Sequence, residues 1–256
     1  MRYFILGSGS KGNALYIESG ETSILIDAGF SGIELEKRLA VHGKEPGKLN
    51  GLFLTHEHGD HIKGAGVLSR RCSLPVYANP GTFQGSEKTV KKLHKRVAFE
   101  TGTSCELQDL EIRSFRISHD TADPVGYLVS DGKQSLACCT DTGKVTHLVA
   151  NRLSNCNALI LEFNHDLTML KNGPYPLFLQ QRVRSNQGHL ANNDAAEFLR
   201  SLLHEGLQQV VLAHLSETNN RPDIALQSAL SVLPAELHPT LHVAAQDYPS
   251  VMFELR

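Results

Sequence analysis

Tryptophan is absent from this sequence and cysteine is scarce, with five residues and no CxxC pair. A disulfide framework and a zinc site built from thiolates are therefore not expected. No apolar run approaches the roughly 18 residues of a membrane-spanning helix. The apolar run Tyr3–Leu6 is also too short for the core of a signal peptide. These absences predict a cytoplasmic protein with no membrane partner.

An excess of charge of either sign is missing too. Lys and Arg number 25 against 27 for Asp and Glu, so the net charge is −2. This balance excludes a wholly basic nucleic-acid-binding protein, although a local basic patch remains compatible with it. The chain also has no Pro/Gly/Ser-rich linker and no visible repeat. Residues 1–256 are therefore predicted to form one domain with a large core.

Apolar segments of strand length come in clusters, and single amphipathic helices interrupt the clusters. Such clusters, unlike a regular βαβ alternation, predict two sheets with helices outside. The predicted strands are Arg2–Leu6, Ala14–Glu18, Ser23–Asp27, Gly51–Thr55, Leu110–Ser118, Gly126–Asp131, Gln134–Cys139, Asn157–Glu162, Gln208–Ala213, Leu241–Ala245 and Val251–Leu255. The predicted helices are Ser31–Val41, Asn192–His204 and Arg221–Leu233.

Histidine, in contrast, is abundant, with 13 copies, and three of them lie in the motif HEHGDH at positions 56–61. Residues two apart in an extended segment point to the same side, so His56 and His58 can bind one ion. If the chain turns at Gly59 into a helix, Asp60 and His61 project from the helix start and can hold a second ion. The alternative is a solvated polar loop with chance histidines. Further candidate ligands downstream disfavour it.

Those downstream candidates each follow a predicted strand: His119, Asp141 and His214. Loops at strand ends are held by a rigid sheet and commonly carry functional side chains. With HEHGDH they complete two half-sites of three ligands each and one bridging carboxylate. Asp27, also at a strand end, could orient a ligand histidine by accepting a hydrogen bond from the ring nitrogen that does not bind metal. We therefore expect two divalent ions per chain, and the donor set suits Zn, Mn or Fe.

In its ligands and their order the sequence resembles the metallo-β-lactamase-fold hydrolases, from about Ser8 to the C-terminus. The resemblance implies an α/β fold, a four-layer αββα sandwich with the metals at one edge of the two sheets. It also implies the ligand sets: His56, His58 and His119 for one metal, Asp60, His61 and His214 for the other, and Asp141 as the bridge.

Shorter motifs resemble those of the YycJ-like subgroup, namely GSGSKGN at 7–13, EFNHD at 162–166, GHL at 188–190, and HLS at 214–216 with Asn219-Asn220. That resemblance implies a DNA exonuclease acting on 5′ ends, with DNA as its partner. Two departures from related branches matter. There is no long insertion after Asp141 of the kind that β-CASP nucleases carry. A Gly-Pro-rich arm is missing as well, which argues against tRNA maturation.

Several residues are candidates for substrate contact or catalysis. The loop with Ser8, Ser10 and Asn13 offers N–H groups and hydroxyls to a phosphate, although a plain turn between strands explains the same residues. His189 is a candidate donor to the phosphate or the leaving group, or else an exposed loop residue. Glu162 could orient His189 or simply cap a strand end.

The remaining features can also be explained as ordinary surface or capping residues. The segment Ser86–Arg96 carries five basic residues against one acid. It predicts either a solvated helix face or a contact with the nucleic-acid backbone, to which Arg70-Arg71 and Arg182/Arg184 could add. His165 is a candidate neighbour of the site. Surface or capping positions are predicted for His42, His94, His147, His204, His238 and His242.

These features together predict a phosphodiester hydrolase. In it a hydroxide bridging two metal ions attacks the phosphate, Asp141 accepts the proton of the water, and His189 helps the leaving oxygen depart. Two alternatives stay open. One is a hydrolase of small molecules, such as a cyclic phosphodiester, a thioester or a lactone, on the same metal site. The other is a metal-binding scaffold without activity.

Overall fold

The computed structural model describes residues 1–234, 236–237 and 239–256. Over these residues the strands are β1 (Arg2–Gly7), β2 (Ala14–Ser19), β3 (Thr22–Ile26), β4 (Gly51–Phe53), β5 (Pro75–Ala78), β6 (Lys95–Ala98), β7 (Ser104–Leu107), β8 (Leu110–Arg116), β9 (Val125–Ser130), β10 (Ser135–Cys139), β11 (Ala158–Glu162), β12 (Gln209–Ala213), β13 (Thr240–Val243) and β14 (Phe253–Glu254). The helices are α1 (Gly32–Ala40), α2 (Gly59–Ile62), α3 (Ala65–Cys72), α4 (Pro80–Val90), α5 (His147–Leu153), α6 (Leu167–Asn172), α7 (Leu177–Val183), α8 (Asn192–Ser201) and α9 (Pro222–Leu230), with a 3₁₀ turn at Pro46–Lys48.

The strands form two seven-stranded sheets, ordered β14-β1-β2-β3-β4-β5-β6 and β13-β12-β11-β10-β9-β8-β7. In the first sheet β1, β2 and β3 pair antiparallel and β3 to β6 pair parallel. In the second sheet β7 to β10 pair antiparallel and β10 to β13 pair parallel. Because parallel strands end at the same edge, each sheet brings several strand ends together.

Side-chain alternation along the strands builds the layers. On β1, Tyr3 and Ile5 enter a core shared by both sheets, while Phe4 and Leu6 face the opposite side. There they pack with Leu35 of α1 and with residues of α3 and α4. The outer face of the second sheet packs in the same way against α5, α8 and α9. The predicted αββα sandwich is confirmed.

Two segments differ from the prediction in an informative way. Along Ser86–Arg96 the helix α4 ends at Val90 and the edge strand β6 begins at Lys95, so the basic run is not one helix face. The predicted strand Val251–Leu255 is reduced to Phe253–Glu254. Among the described helices, none has the length and apolar character needed to cross a membrane.

Candidate metal centre

The strand ends of both sheets meet at one edge and carry the predicted ligands. The HEHGDH motif follows β4, and the chain turns into α2 at Gly59, as predicted. His119 comes after β8, Asp141 after β10 and His214 after β12. The fold thus brings together residues that lie up to 158 positions apart in the chain, the separation of His56 and His214.

The first group contains His56, His58 and His119, whose ligand atoms all lie within 4.8 Å of one another. The Nε2 atom of His119 is 3.2 Å from Nδ1 of His58. His56 is fully buried, while the side chain of His58 is 33% exposed at the start of α2. One open flank suits a site that admits a substrate.

The second group contains Asp60, His61 and His214. The Asp60 carboxylate lies 3.6 Å from Nε2 of His61 and 3.8 Å from Nε2 of His214. Asp141 lies between the two groups. One of its oxygens is 3.4 Å from Nε2 of His61, and the other is 3.4 Å from Nε2 of His214 and 3.9 Å from Nε2 of His119.

Hydrogen bonds at the far side of each ring fix the tautomer that a metal ligand needs. Asp27 accepts bonds from the Thr55 hydroxyl and from Nδ1 of His61 at 2.8 and 2.7 Å. Because the Thr55 proton goes to Asp27, Nδ1 of His56 must donate to the Thr55 oxygen at 2.9 Å. When both rings are neutral, the Nε2 atoms of His56 and His61 therefore carry the lone pairs that face the cluster.

The donor set fits a divalent cation. Among the described residues, His56 Nε2, His214 Nε2 and one Asp141 oxygen are buried polar atoms without a hydrogen-bond partner. Such orphaned atoms are costly in a folded protein unless a ligand satisfies them. Burial lowers the pKa of His56, which keeps the ring neutral, as metal binding requires.

The carboxylates dominate the electrostatics of the second group. Burial alone lowers the pKa of His61, but the charges of Asp141 and Asp27 outweigh it and raise the pKa to about 9. The pKa of His214 is likewise raised, against burial, by Asp141, Asp60 and Glu162. The centre therefore attracts positive charge strongly, which again suits a cation.

Glu162, at the end of β11, connects this centre to His189. One Glu162 oxygen accepts from Nδ1 of His189 at 2.8 Å and from Nδ1 of His214 at 3.0 Å. The other accepts the backbone N–H of Thr142 and of Leu190. Burial raises the pKa of Glu162, but both histidine rings outweigh it and lower the pKa, so the carboxylate stays ionised. His189 remains partly exposed, with 21% of its side chain accessible.

The Gly/Ser-rich loop divides into buried and exposed residues. The Ser8 hydroxyl donates to the Asn13 amide oxygen at 3.2 Å and accepts the backbone N–H of His214 at 2.8 Å. The Asn13 amide nitrogen lies 3.0 Å from Nε2 of His61. Ser10 is exposed and lines the cavity over the centre. Ser8 and Asn13 thus bond within the protein, and Ser10 alone of these three faces the cavity.

Three residues of the centre have left-handed backbone: Asp27 (φ 61°), Asp141 (φ 59°) and His214 (φ 56°). Each comes directly after a strand of the sandwich or one residue later. A left-handed non-glycine residue costs of the order of 1 kcal/mol or more, and such residues cluster at functional sites. Here the turn aims each side chain across the sheet edge into the cluster.

The cavity over the centre has a volume of 240 Å³, and its lining includes residues for which the sequence predicts no role in the site. They are Asp120, Tyr175, Leu179, Val183 and Gly188, while Arg182 is predicted only as part of a basic patch. Most belong to residues 167–190 between β11 and α8. The sequence signal for them is the segment PLFLQQRV at 176–183, which has helix length and no glycine or internal proline. It lies shortly before the GHL motif at 188–190.

The other candidates lie outside the cluster. The predicted surface histidines at 42, 94, 147, 204 and 242 are exposed or half-buried, as expected, while His238 lies outside the described residues. His165 is buried beside Asn164, and burial lowers its pKa to about 4. The basic run Ser86–Arg96 begins on α4. Gly85, the residue just before the run, packs closely against Glu57 of the HEHGDH motif.

Residues 22–215 match the family described as "Beta-lactamase superfamily domain". This chain belongs to the beta-lactamase superfamily. Within the superfamily it is 37% identical over 235 residues to Exodeoxyribonuclease YycJ of Bacillus anthracis, covering 91% of this chain and 89% of the relative. It is 37% identical over 237 residues to Exodeoxyribonuclease WalJ of Streptococcus pneumoniae, covering 91% and 88%.

The same superfamily fold is found in a solved structure. The metallo-beta-lactamase fold protein YhfI of Bacillus subtilis superposes with a TM-score of 0.76 at 18% identity, covering 98% of this chain and 99% of that one. The predicted fold type and the resemblance to the YycJ-like subgroup are confirmed. As a superfamily member with this His/Asp cluster, the chain is a metal-dependent hydrolase that binds divalent metal.

Proposed function

We propose that this protein is a DNA exonuclease that hydrolyses phosphodiester bonds from 5′ ends, with two divalent ions per chain. The observation that carries the proposal is the pair of three-ligand groups with Asp141 between them. The similarity to proteins named exodeoxyribonucleases over 91% of the chain supports DNA as the substrate. A single hydrolase domain over residues 1–256 and a cytoplasmic location complete the proposal.

The ligand assignment follows the groups. His56, His58 and His119 would hold one ion, Asp60, His61 and His214 the other, and Asp141 would contact both. When bound, two such ions supply a water of lowered pKa and positive charge for the phosphate; the donor set suits Zn, Mn or Fe. Asp27 and Thr55 keep His61 and His56 in the required orientation through the hydrogen bonds described above.

The other residues handle protons and substrate. Asp141 would accept the proton of the attacking water. Glu162 holds Nδ1 of His189 at 2.8 Å and so directs Nε2 of that ring outward. A protonated His189 would donate from Nε2 to a phosphate oxygen or to the leaving oxygen. Ser10, exposed at the cavity, would contact the phosphate, while Ser8 and Asn13 hold the loop in place.

The test compares His58→Ala with a matched histidine control. His58 is a half-exposed proposed ligand, so its loss should spare the fold. His147 is exposed on α5 and belongs to none of the proposed metal or DNA contacts, so His147→Ala provides the control. Metal analysis should find about two divalent ions per chain in the wild type and fewer in His58→Ala. The rate at which 5′-phosphorylated duplex and single-stranded DNA are cleaved should be lower in His58→Ala, in line with its lower metal content. A His58→Ala variant that is active without metal would overturn the metal assignment.

Polarity and substrate class need separate assays. End-labelled DNA should release mononucleotides from the 5′ end, and bis-p-nitrophenyl phosphate should serve as a small phosphodiester. A panel of thioesters and lactones, run with Mn²⁺ and Zn²⁺, checks the competing activity. Strong thioester or lactone cleavage without any DNA cleavage would reject the exonuclease proposal.

A further inference from the structure

Residues 167–190, between β11 and α8, form one wall of the cavity over the metal centre. Tyr175 lines the cavity from the turn before α7, and Leu179, Arg182 and Val183 line it from α7 itself. None of Tyr175, Leu179, Arg182 and Val183 belongs to the groups proposed to hold metal, so metal binding does not account for this part of the wall.

One end of the wall is firmly anchored. The Arg182 guanidinium bonds to Asp120 at 2.7 and 2.8 Å, and the backbone N–H of His189 donates to the Val183 carbonyl at 2.9 Å. The backbone at Gly188 approaches α7 so closely that a Cβ there would lie 2.2 Å from the Val183 oxygen. The C-terminal end of α7 is therefore held rigidly beside the metal centre.

The other end of α7 is bare. No residue of α7 is buried, and Leu177 and Phe178 at its N-terminal end are 69% and 73% exposed. Phe178 lies four positions before Arg182, so both project from the same face of the helix. The exposed ring therefore lies one turn from a residue that lines the cavity. An exposed apolar patch continuous with an active-site cavity is typical of a binding surface.

The charge of this wall indicates the chemical class of its partner. Residues 167–190 contain Lys171, Arg182 and Arg184 and no Asp or Glu, although the whole chain has a net charge of −2. Because Arg182 is paired with Asp120, the positive charge offered to a partner comes from Lys171 and Arg184. The positive charge favours an anionic partner, and the exposed ring of Phe178 with the half-buried ring of Tyr175 favours one with flat faces. Single-stranded nucleic acid combines both, because its bases stack on aromatic side chains and its phosphates contact basic ones.

We propose that this wall binds the single-stranded end of the nucleic acid that enters the metal centre. Phe178 stacks on a base outside the cavity, Tyr175 contacts the nucleotide inside it, and Arg184 contacts the phosphate backbone. The inference rests on the proposed nuclease function and adds to it a strand-binding surface. It also gives a chain without a basic excess a surface that would hold a DNA end.

The test measures binding apart from cleavage. The probe is a short 5′-phosphorylated oligothymidylate, labelled with fluorescein at its 3′ end and made with phosphorothioate linkages that resist hydrolysis, in the presence of Mn²⁺. A second probe has the same backbone but abasic sites. Phe178→Ala should raise Kd for oligothymidylate at least about fivefold and change Kd for the abasic probe little. Arg184→Ala should raise Kd for both probes and make Kd less dependent on the salt concentration.

Matched controls lie on the opposite side of the molecule. Leu230→Ala removes a 52% exposed side chain at the end of α9, and Lys133→Ala removes an exposed charge at the turn between β9 and β10. Both should bind each probe like the wild type. Equal binding of oligothymidylate by Phe178→Ala and wild type would overturn the inference, as would a wild type that does not distinguish the two probes.

Two further outcomes separate this inference from the proposed function. If the wild type cleaves DNA but Phe178→Ala binds normally, only the strand-binding wall is rejected. If the wild type neither binds nor cleaves any oligonucleotide, both proposals fall. Sedimentation of the wild type and Phe178→Ala covers another occupant: a dimer lost in the variant, with DNA binding unchanged, would assign the face to a second copy and overturn the inference.

Discussion

Replacing Ser8 by alanine tests whether the Gly/Ser-rich loop supports the metal centre or binds phosphate. Ser8 is only 6% exposed. Its hydroxyl accepts the backbone N–H of His214 at 2.8 Å and donates to Asn13 at 3.2 Å. His214 is one of the left-handed residues of the centre, with φ at 56°. The hydroxyl therefore holds a strained turn that carries a proposed ligand.

The magnitude follows from the hydrogen bonds. Alanine leaves the buried N–H of His214 without its partner, and a buried donor left unsatisfied costs about 1–3 kcal/mol. For a chain of 256 residues, each kcal/mol lowers Tm by about 2 °C, so we expect a fall of roughly 2–6 °C. Since the turn that aims His214 is loosened, the affinity for the second metal ion should fall as well.

Thermal unfolding with saturating Mn²⁺, followed by circular dichroism, measures the first effect, and chelator competition measures the second. Ser10→Ala is the matched control, because Ser10 belongs to the same loop but is exposed at the cavity. It should leave Tm unchanged and raise KM for DNA. A Ser8→Ala variant with unchanged Tm and metal affinity but a raised KM would refute the structural role and favour direct phosphate binding.

Three other perturbations follow from buried polar contacts. In Asp27→Asn the amide oxygen can keep the bond from the Thr55 N–H, which turns the NH2 group, a donor, toward Nδ1 of His61. Metal affinity should then fall about 10- to 100-fold in chelator titrations; unchanged affinity would contradict the orienting role. Arg38→Met removes a buried guanidinium that donates to three backbone carbonyls and should cost about 2–4 kcal/mol in urea unfolding, whereas a loss near zero would show that water replaces it. Burial raises the pKa of Glu18, but its bonds with Lys44 and other partners outweigh burial and keep the pKa below the ordinary 4.5. That depressed pKa stabilises the fold above about pH 4.5, and the stabilisation is lost as the pH falls further. Glu18→Gln should therefore lower Tm at pH 7, and the Tm difference should shrink in acid; a constant difference would reject the ion pair as its cause.

The convergence of the proposed metal ligands was predictable because these residues follow strands whose apolar pattern is visible in the sequence. Asp141 comes after the buried run of β10, and His214 after that of β12. Parallel strands end at one sheet edge, so polar residues after such runs converge. The HEHGDH spacing added the local geometry, since His56 and His58 lie before the turn and His61 lies inside α2.

Other elements have weak local signals. The edge strand β6 has the sequence KRVA and is mostly exposed, so it shows no alternation between a core face and a polar face. Helix α4 contains two glycines, and its helical conformation is supported by the Asn79 cap and by packing of Phe83 and Val90. Tertiary contacts stabilise such elements, and a propensity argument cannot detect them.

The role of the Gly/Ser-rich loop was ambiguous for a similar reason. Glycines that admit a phosphate and glycines that admit a neighbouring side chain look alike in a sequence. In the fold, a Cβ at Gly12 would lie 2.6 Å from the Phe30 ring, and a Cβ at Gly7 would lie 2.4 Å from Arg38. These two glycines are required by packing, which leaves Ser10 as the part of the loop that faces the cavity.

Metal and DNA binding should be strongly coupled in this protein. The pKa values of Asp60, Asp141 and Glu162 are lowered by neighbouring histidines, against burial, so all three carboxylates are ionised at neutral pH. These carboxylates disfavour a phosphate in the cavity, whereas two divalent ions would bring positive charge next to it. A charge pair about 4 Å apart near a protein surface is worth up to ~4 kcal/mol.

Removing the metal with EDTA should therefore weaken binding of the phosphorothioate oligothymidylate at least about tenfold, and Mn²⁺ should restore it. Fluorescence anisotropy measures the effect directly. His58→Ala provides the comparison, because a protein with fewer ions should respond less to EDTA. DNA binding that is indifferent to EDTA would mean that the phosphate binds away from the centre, and the assignment of the cavity to the scissile phosphate would then be wrong.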